Sequence, residues 1–389
     1  MTEADAPSLA EYRDRFCRWL VDVDAAGLFS SSGARSDLPT LRRWQRALYD
    51  GGWIGVHWPV ELGGKGLSSL HQSAVWEEVA AARFPQPPGM IGLEVVGGSI
   101  SRYGSAEQRE RWIARLLGGD DIWCQGFSEP EAGSDLASLR TTAKVDGDSF
   151  IVSGQKIWSS GAHFAGWCAA LVRTDTPESR HRGISYLAID MSSPGLTVRP
   201  TEQLTGESEF CEIFFDDVVV PKENLIGELN AGWKIALDSL ANERGGYNLR
   251  RRVELELLFT EILAHLREAQ AEGAVVDEAE VGWCRVLLDA LEGQTRKTGR
   301  RMTDQPGVPS PMDSVDKLVL TRVEQTLLSL ALDTLGVGRA PGTGADSVAL
   351  ASRWQYEYFF GRSASIYSGT RQIQRSIIAE RVFDLPRSR

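Results

Sequence analysis

The chain has 389 residues, of which 42% are hydrophobic and 24% are charged, an ordinary composition for a globular protein of two or three packed layers or domains. Its net charge of -11 argues against nucleic acid as a partner, because the chain would repel a phosphate backbone. The acidic N-terminus and the lack of a long apolar run predict no signal peptide, no membrane-spanning helix and a cytoplasmic protein.

The five cysteines and five histidines show no spacing typical of a metal site or of a disulfide framework. The cysteine number is odd, and the sequence has no CxxC pair. We therefore expect no metal site, and cysteines that are small buried side chains in a reducing compartment. These cysteines are Cys17, Cys124, Cys168, Cys211 and Cys284.

The first part of the chain, to about Asp121, has helical periodicity. Apolar residues recur at spacings of three and four, as at Phe16, Leu20 and Val23. A Gly- and Pro-containing break at 58–66 separates two of these segments. We predict an N-terminal α-helical domain over residues 1–121.

Residues 122–229 shift towards a period of two and predict a β-barrel domain. Asp146-Gly147 is a typical hairpin turn before the apolar run that starts at Phe150. Turn residues separate the other short runs. The predicted strands cover 150–152, 169–172, 184–189, 196–198 and 213–220.

Helical periodicity returns at residue 230 and continues to the end of the chain. Asn230 is expected to cap the first of these helices. Short connections between long helices predict a bundle over residues 230–389. The first predicted helix ends at about residue 272. The next three cover residues 278–303, 312–335 and 347–365, and a last amphipathic helix follows the turn at 367–370. The fold class is therefore α+β, with helical, β-barrel and helical-bundle domains.

The stretch 123–160 contains the residue types that predict a binding site. Residues 126–135, GFSEPEAGSD, form a loop that exposes backbone N–H groups and short hydroxyls. The strand after the hairpin ends in KIWSS, so an aromatic plane and two hydroxyls lie close to that loop. Taken separately, each piece also fits a Gly-rich turn or a strand-end tryptophan of any β-domain.

Together these motifs resemble the acyl-CoA dehydrogenase family. The resemblance rests on SEP-x-AGSD, DGD and GQK-x-W-SS, and it continues in WP-x-x-x-GG-x-G at 58–66 and FFDDVVVP at 214–221. It implies that the loop lies along the isoalloxazine ring of FAD and that the tryptophan and hydroxyls lie against the other side. The implied cofactor contacts are Gln125, Phe127, Ser128, Gly133, Ser134, Trp158, Ser159, Ser160, Thr370 and Gln372. The implied substrate contacts are Ser134, Tyr247 and Gly369.

Desaturation of an acyl thioester requires a base for the α-proton, while the flavin accepts the β-hydride. Many members of the family carry this base as a glutamate before the Gly-Thr of the last turn, where this chain has Ser368. A branch with isovaleryl-type and long-chain enzymes carries it in a Glu-Arg pair on the first long C-terminal helix, and this chain has Glu243-Arg244 there. The resemblance thus implies Glu243 as base, Arg244 beside it as a further catalytic residue, and the backbone N–H of Ser368 as donor to the thioester oxygen.

Helical spacing agrees with an inward position for Glu243. Ala236, Leu240, Glu243 and Tyr247 follow one another at four, three and four residues and share one helix face. A surface glutamate or a structural ion pair is the alternative interpretation.

Two departures from the family pattern concern the flavin diphosphate and adenosine. The family's Arg-x-x-Phe-Gly has no counterpart at the usual distance, and its Gln-x-x-Gly-Gly is DTLGV at 333–337. Similar losses occur in a bacterial branch with steroid side-chain dehydrogenases, where two unlike subunits share the sites. Both a homotetramer and a heterotetramer are therefore considered as assemblies.

The two glycines Gly245-Gly246 follow the Glu-Arg pair directly. They indicate either room for a bulky acyl group or a helix bend or close helix crossing.

Three functions are therefore considered. The first is an FAD-dependent dehydrogenase of an acyl-CoA or acyl-carrier-protein thioester, with an electron-transferring flavoprotein as acceptor. The second is a flavin monooxygenase or oxidase of the same fold, which needs no carboxylate base. The third is a partner subunit that completes the flavin site of a heteromer.

Overall fold

The computed structural model describes residues 7–25, 37–273, 275–305, 310–335 and 345–386. Within these ranges it leaves the side chains of 24–25, 240–246, 335 and 345–350 undescribed. The chain forms two compact units, Met1–Glu243 and Arg244–Arg389.

The first unit begins with helices around an aromatic core. They are α1 (Leu9–Ala25), α2 (Leu38–Asp50), α3 (Ser69–Ala81), α4 (Gly97–Tyr103) and α5 (Ala106–Gly118), and a π-helical segment, Gly92–Val96, directly precedes α4. Asp37 caps α2 through Thr40 N, and Ser105 and Gln108 form a capping box at the start of α5. Buried tryptophans such as Trp44 and Trp112 fill the core.

The same unit continues into a seven-stranded mixed sheet. The strands are β1 (Trp123–Gly126), β2 (Thr142–Asp146), β3 (Ser149–Ser160), β4 (Trp167–Arg173), β5 (Ile184–Asp190), β6 (Leu196–Pro200) and β7 (Phe210–Pro221). Their order is β1-β4-β2-β3-β7-β6, with β5 paired to β4. All five predicted strand runs lie within these strands, and the Asp146-Gly147 hairpin is confirmed by the antiparallel pairing of β2 and β3.

The second unit is a helical bundle with its own apolar core. Helix α6 (Gly232–Ala271) enters it at residue 244, and α7 (Glu278–Asp304), α8 (Asp313–Leu335), α9 (Ala345–Arg362) and α10 (Arg371–Arg381) follow. Leu255, Leu288 and Leu327 are among the buried residues of that core. The predicted α+β class, with helices on both sides of a β region in sequence, is confirmed.

The predicted capping role of Asn230 was wrong. Helix α6 begins at Gly232, and Asn230 has a left-handed φ of 67°. Its Oδ1 accepts a hydrogen bond from Thr174 Oγ1 at 2.6 Å, and its N–H donates to Ser185 Oγ at 2.8 Å. Asn230 therefore fastens the chain to the β4–β5 region, because those partners compete with the cap for its polar groups.

Four of the five cysteines are buried as predicted, whereas Cys17 is half-buried and donates to Glu78 Oε2 at 3.2 Å; all five are free thiols. Among the described residues, no helix has the length and apolarity needed to cross a membrane. No cluster of three or more His, Cys, Asp or Glu in the described ranges is suited to a metal ion.

Candidate active site

A fully buried lysine anchors the start of the loop at residues 126–135, here called the SEP loop, to β3. Lys156 has 0% exposure, and its Nζ donates to the carbonyl of Phe127 at 3.0 Å and to Glu129 Oε1 at 2.8 Å. Burial alone would raise the pKa of Glu129, but Lys156 and hydrogen bonds outweigh burial and lower it. Burial lowers the pKa of Lys156, and the neighbouring Glu129 opposes that change. The pair is a local charge-neutral anchor.

Backbone groups complete this anchor. Glu129 accepts from the N–H of Arg140 at 2.6 Å and of Thr141 at 2.9 Å. The N–H of Ile157, in β3, donates to the carbonyl of Ser128 at 2.9 Å. The loop is thus held against the strand that ends in the predicted tryptophan and serines.

The end of β3 turns its tryptophan outward. The pairing with β7 shifts register between Lys156 and Ser159, as at a β-bulge. Trp158 lies inside this shift with a left-handed φ of 62°, which is uncommon for a bulky residue. Its side chain is 56% exposed and meets Phe210 edge-on, with 5.8 Å between ring centroids. The bulge therefore presents an indole face outside the protein core.

The remaining predicted contacts of the first unit differ in exposure. Ser159 is fully buried, and its Oγ has no hydrogen-bond partner among the described atoms. Gly133 and Ser134 are exposed, while Gln125 and Ser160 are half-buried.

The ring of Phe127 is not available on the surface. It is 5% exposed and packs edge-on against Tyr186, with ring centroids 5.8 Å apart. Its carbonyl accepts from Lys156 Nζ, as described above. Phe127 therefore shapes the loop from within the core.

In the second unit, the predicted thioester-binding turn has a left-handed backbone. Ser368 has a φ of 51° and Gly369 a φ of 91°. The amide Nε2 of fully buried Gln374 donates to the carbonyl of Ser368 at 2.9 Å and to that of Gly369 at 3.3 Å. A Cβ at Gly369 would lie 2.5 Å from this amide nitrogen, so the turn requires glycine for both φ and space.

The two residues predicted to contact flavin after this turn have different local roles. Thr370 caps α10, and its Oγ1 accepts from Ile373 N at 3.2 Å. Gln372 is exposed in the first turn of α10. Their contact with a cofactor stays a prediction.

Tyr247 and Tyr367 meet through their hydroxyls, whose oxygens are 2.6 Å apart. Tyr247 lies in α6, and Tyr367 directly precedes Ser368. The structure therefore brings the predicted substrate contact Tyr247 to the turn that contains Ser368 and Gly369.

The side chains of Glu243 and Arg244 lie outside the described residues. Both positions fall in α6, so the predicted helical location of the Glu-Arg pair is confirmed. The role of Glu243 as base stays a prediction.

Sequence reasoning missed the anchoring roles of Lys156, Glu129 and Gln374. One signal was present for Lys156, because Phe150, Val152 and Lys156 have the same parity in β3 and all three are buried. No comparable signal identified Glu129, which lies in a polar loop.

Comparison with known proteins identifies the family. Three family models match the chain: the acyl-CoA dehydrogenase N-terminal domain at 31–120, the middle domain at 124–218 and the C-terminal domain at 230–383. The chain is 36% identical to acyl-CoA dehydrogenase IpdE1 of Mycobacterium tuberculosis, over 97% of this chain and 98% of that protein. It belongs to the acyl-CoA dehydrogenase family. This acyl-CoA dehydrogenase is accordingly an FAD-dependent oxidoreductase.

Further relatives and solved structures agree with this family assignment. The mitochondrial short-chain specific acyl-CoA dehydrogenase of Mus musculus is 30% identical over 84% of this chain and 79% of its own. A structure named Tcur3481-Tcur3483 steroid ACAD is 25% identical and has a TM-score of 0.84, with full coverage of both chains. The ChsE4-ChsE5 complex from Mycobacterium tuberculosis is 27% identical, also over both full chains, with a TM-score of 0.77.

The residues of the first unit fit a flavin. A planar ring needs an aromatic or backbone surface on which to lie, and Trp158 offers a half-exposed indole beside an anchored loop. A flavin edge rich in acceptors needs hydrogen-bond donors, and exposed Ser134 and half-buried Ser160 each have a hydroxyl that can donate. These observations concern the ring of the cofactor and are independent of the family match.

Proposed function

We propose that this acyl-CoA dehydrogenase introduces an α,β double bond into an acyl thioester, with Glu243 as the base. The observation that supports it best is Trp158, a large aromatic residue held half-exposed and left-handed at a strand bulge beside the SEP loop. Strained, exposed residues of this kind cluster at functional sites. When bound, FAD would supply the hydride acceptor for the β-carbon.

The protein residues would act on the α-carbon and on the thioester oxygen. The α C–H bond breaks as its proton passes to the Glu243 carboxylate, and the bond's electron pair forms the new double bond as hydride leaves the β-carbon. Burial beside an acyl chain would raise the pKa of such a carboxylate towards working pH. Ser368 has no carboxylate, which favours Glu243, and its backbone N–H would donate to the oxygen as negative charge develops there.

A bulky acyl group is the proposed substrate. One structural relative is named a steroid ACAD, and Gly245-Gly246 adds no side-chain volume directly after Glu243-Arg244. We propose a thioester of CoA, with an acyl-carrier-protein thioester as the alternative, and an electron-transferring flavoprotein as electron acceptor.

A partner subunit that completes a heteromeric flavin site is the second candidate. The absence of Arg-x-x-Phe-Gly and of Gln-x-x-Gly-Gly favours it, because those motifs hold the diphosphate and adenosine half of FAD in the family. One relative of known structure, ChsE4-ChsE5, is named as a complex of two proteins. A heterotetramer is therefore considered beside a homotetramer.

Anaerobic flavin bleaching tests both candidates. The chain is purified alone, its bound flavin is quantified, and acyl-CoAs from short to steroidal are added without oxygen. We expect bleaching by a bulky acyl-CoA, and loss of bleaching in Glu243→Gln while flavin stays bound.

The other outcomes separate the alternatives. Bound flavin that no acyl-CoA or acyl-carrier-protein thioester bleaches would contradict the dehydrogenase and favour oxygen chemistry of the same fold. Absence of flavin in the purified chain, with flavin regained on co-purification with a second protein, would favour the partner subunit. Bleaching that persists in Glu243→Gln would exclude Glu243 as the base.

A further inference from the structure

The hydroxyl pair of Tyr247 and Tyr367 connects two parts of the catalytic machinery proposed above. The oxygens are 2.6 Å apart, and the rings meet edge-on with centroids 6.2 Å apart. Burial raises the pKa of both phenols, so both keep their protons and one donates to the other.

Cations fix the two rings. The guanidinium carbon of Arg250 lies 5.4 Å from the centroid of the Tyr247 ring. Lys317 is 4% exposed, and its Nζ lies 3.8 Å from the centroid of the Tyr367 ring. Cation–π contacts of partly desolvated groups are stronger than exposed ones, so each ring has a second restraint besides its hydroxyl.

Each tyrosine of the pair lies close in sequence to a proposed catalytic group. Tyr247 lies four residues, about one helical turn, after Glu243 in α6. Tyr367 is bonded directly to Ser368, the first residue of the left-handed turn. A displacement of the phenol of Tyr367 would therefore move the backbone N–H of Ser368.

We infer that Tyr247 and Tyr367 are positioning residues. The hydrogen bond between their hydroxyls fixes the position of the Ser368 N–H relative to the helix that contains Glu243. The inference rests on the proposed function, since it requires a thioester oxygen at Ser368. Gln374 holds the same turn by donating to the carbonyls of Ser368 and Gly369, which belong to the two peptide groups that follow the one with the Ser368 N–H. The turn is thus fixed through Gln374 at its carbonyls and through Tyr247 at the preceding side chain.

The test is the removal of each hydroxyl in Tyr247→Phe and Tyr367→Phe, and of both in the double variant. Misplacement of a reacting group by about 1 Å can cost about a hundredfold in rate, and loss of an entire oxyanion donor about 10²–10³. We expect kcat to fall about tenfold or more in each single variant. The kcat of the double variant should be no lower than that of the single variants, because both substitutions remove the same hydrogen bond.

A binding measurement distinguishes positioning from general structural damage. Isothermal titration is carried out with an enoyl-CoA, which has the thioester oxygen, and with the matching alkyl thioether of CoA, which lacks it. Loss of the tyrosine pair should weaken the enoyl-CoA and leave the thioether unchanged, because only the former accepts from Ser368. Equal weakening of both compounds, or of neither, would overturn the inference.

Tyr12→Phe is the matched control. Tyr12 is 2% exposed, and its hydroxyl has no hydrogen-bond partner among the described atoms, so this variant should retain kcat and both affinities. A wild-type enzyme that is active while both tyrosine variants keep its kcat would contradict the positioning role alone. A flavin-loaded wild type that no acyl-CoA bleaches would contradict the proposed function and the inference together.

Discussion

At the scale of single residues, Lys156 shows how a buried charge fixes a binding loop. An ammonium group without water is costly, and Lys156 is fully buried. Glu129, which is 7% exposed, neutralises it, and the carbonyl of Phe127 takes another of its hydrogen bonds. The favourable geometry of the pair depends on both partners, because a buried charge left alone is strongly destabilising.

We predict that Lys156→Met destabilises the protein and weakens flavin retention. The change leaves Glu129 as a buried carboxylate without its cation, which costs about 3–5 kcal/mol of unfolding free energy. The SEP loop also loses its attachment to β3 at Phe127 and Glu129. Urea unfolding measures the first effect, and the ratio of flavin to protein absorbance measures the second.

Arg18→Met is the control for this variant. Arg18 and Asp14 also form an ion pair, at 2.9 Å, but both side chains are about 70% exposed (71% and 70%). Exposed pairs contribute little because water screens them, so this substitution should leave stability and flavin content unchanged. Equal behaviour of the two variants would show that burial is not what makes the Lys156–Glu129 pair important.

The residue scale also shows how far the sequence predicts this site. The motifs around Trp158 and the SEP loop were sufficient to place both in one region, and the hydrogen bond from Ile157 to Ser128 agrees. The partner of Lys156 was not predictable, because Glu129 is separated from it by 27 residues and lies in a loop with exposed neighbours. The positive φ of Trp158 likewise lies at the register shift in the pairing of β3 with β7, and the local sequence pattern does not predict that shift.

At the scale of elements, a buried ionic network joins α6 to α8 and α9. Arg251 donates to Glu324 in α8 at 2.7 Å and to Glu357 in α9 at 2.8 Å. Arg250 and Arg251 each donate to Glu254, one turn further along α6, at 2.7 Å. Burial alone would raise the pKa of Glu254, but the two arginines outweigh it and lower the pKa from 4.5 to about 2.

This network predicts a specific loss of stability in acid. Because the pKa of Glu254 is lower in the folded than in the unfolded chain, its contribution is fully present above pH 4.5 and is lost as pH falls towards about 2. We expect Glu254→Gln to lower the unfolding free energy at neutral pH and to make its decline in acid shallower. Urea unfolding at a series of pH values from 7 to about 2 measures both.

Glu268→Gln provides the control, since Glu268 is exposed on the same helix. Its pH profile should coincide with that of the wild type. A Glu254→Gln profile parallel to that of the wild type, with no change of slope in acid, would contradict the assignment.

Elements with a strong local signal were predicted well, and those set by distant contacts were not. The Asp146-Gly147 turn encodes its hairpin locally, and the long C-terminal helices follow from their periodicity. The parallel pairing of β1 with β4 joins Trp123 to Trp167 across the β2–β3 hairpin that lies between them in the sequence, and no local pattern specifies it. The start of α6 was misplaced because Asn230 is bound by residues of β5 and of the loop before it.

At the scale of the whole molecule, the described apolar clusters separate by unit. Two clusters, one around the N-terminal helices and one in the sheet, contain only residues of Met1–Glu243. The third lies within Arg244–Arg389. Chains with separate hydrophobic cores frequently depart from a single all-or-none unfolding transition.

We therefore predict two calorimetric transitions, each sensitive to substitutions in one unit only. Leu171 and Leu255 are both fully buried, in the first and second units respectively. Replacement of either by alanine should cost about 2–5 kcal/mol and lower the transition of its own unit by roughly 4–20 °C. Differential scanning calorimetry of the two variants and the wild type measures this.

The matched pair of leucine variants makes the result decisive, because the chemical change is identical and only the unit differs. Separate units predict that Leu171→Ala moves one transition and Leu255→Ala the other. If both variants lower one common transition by similar amounts, the two units unfold together. Helix α6, which begins in the first unit at residue 232 and ends in the second at residue 271, would then be the continuous element that couples them. Flavin added in excess then extends the test, since a ligand that binds only folded protein raises the transition of each unit it contacts.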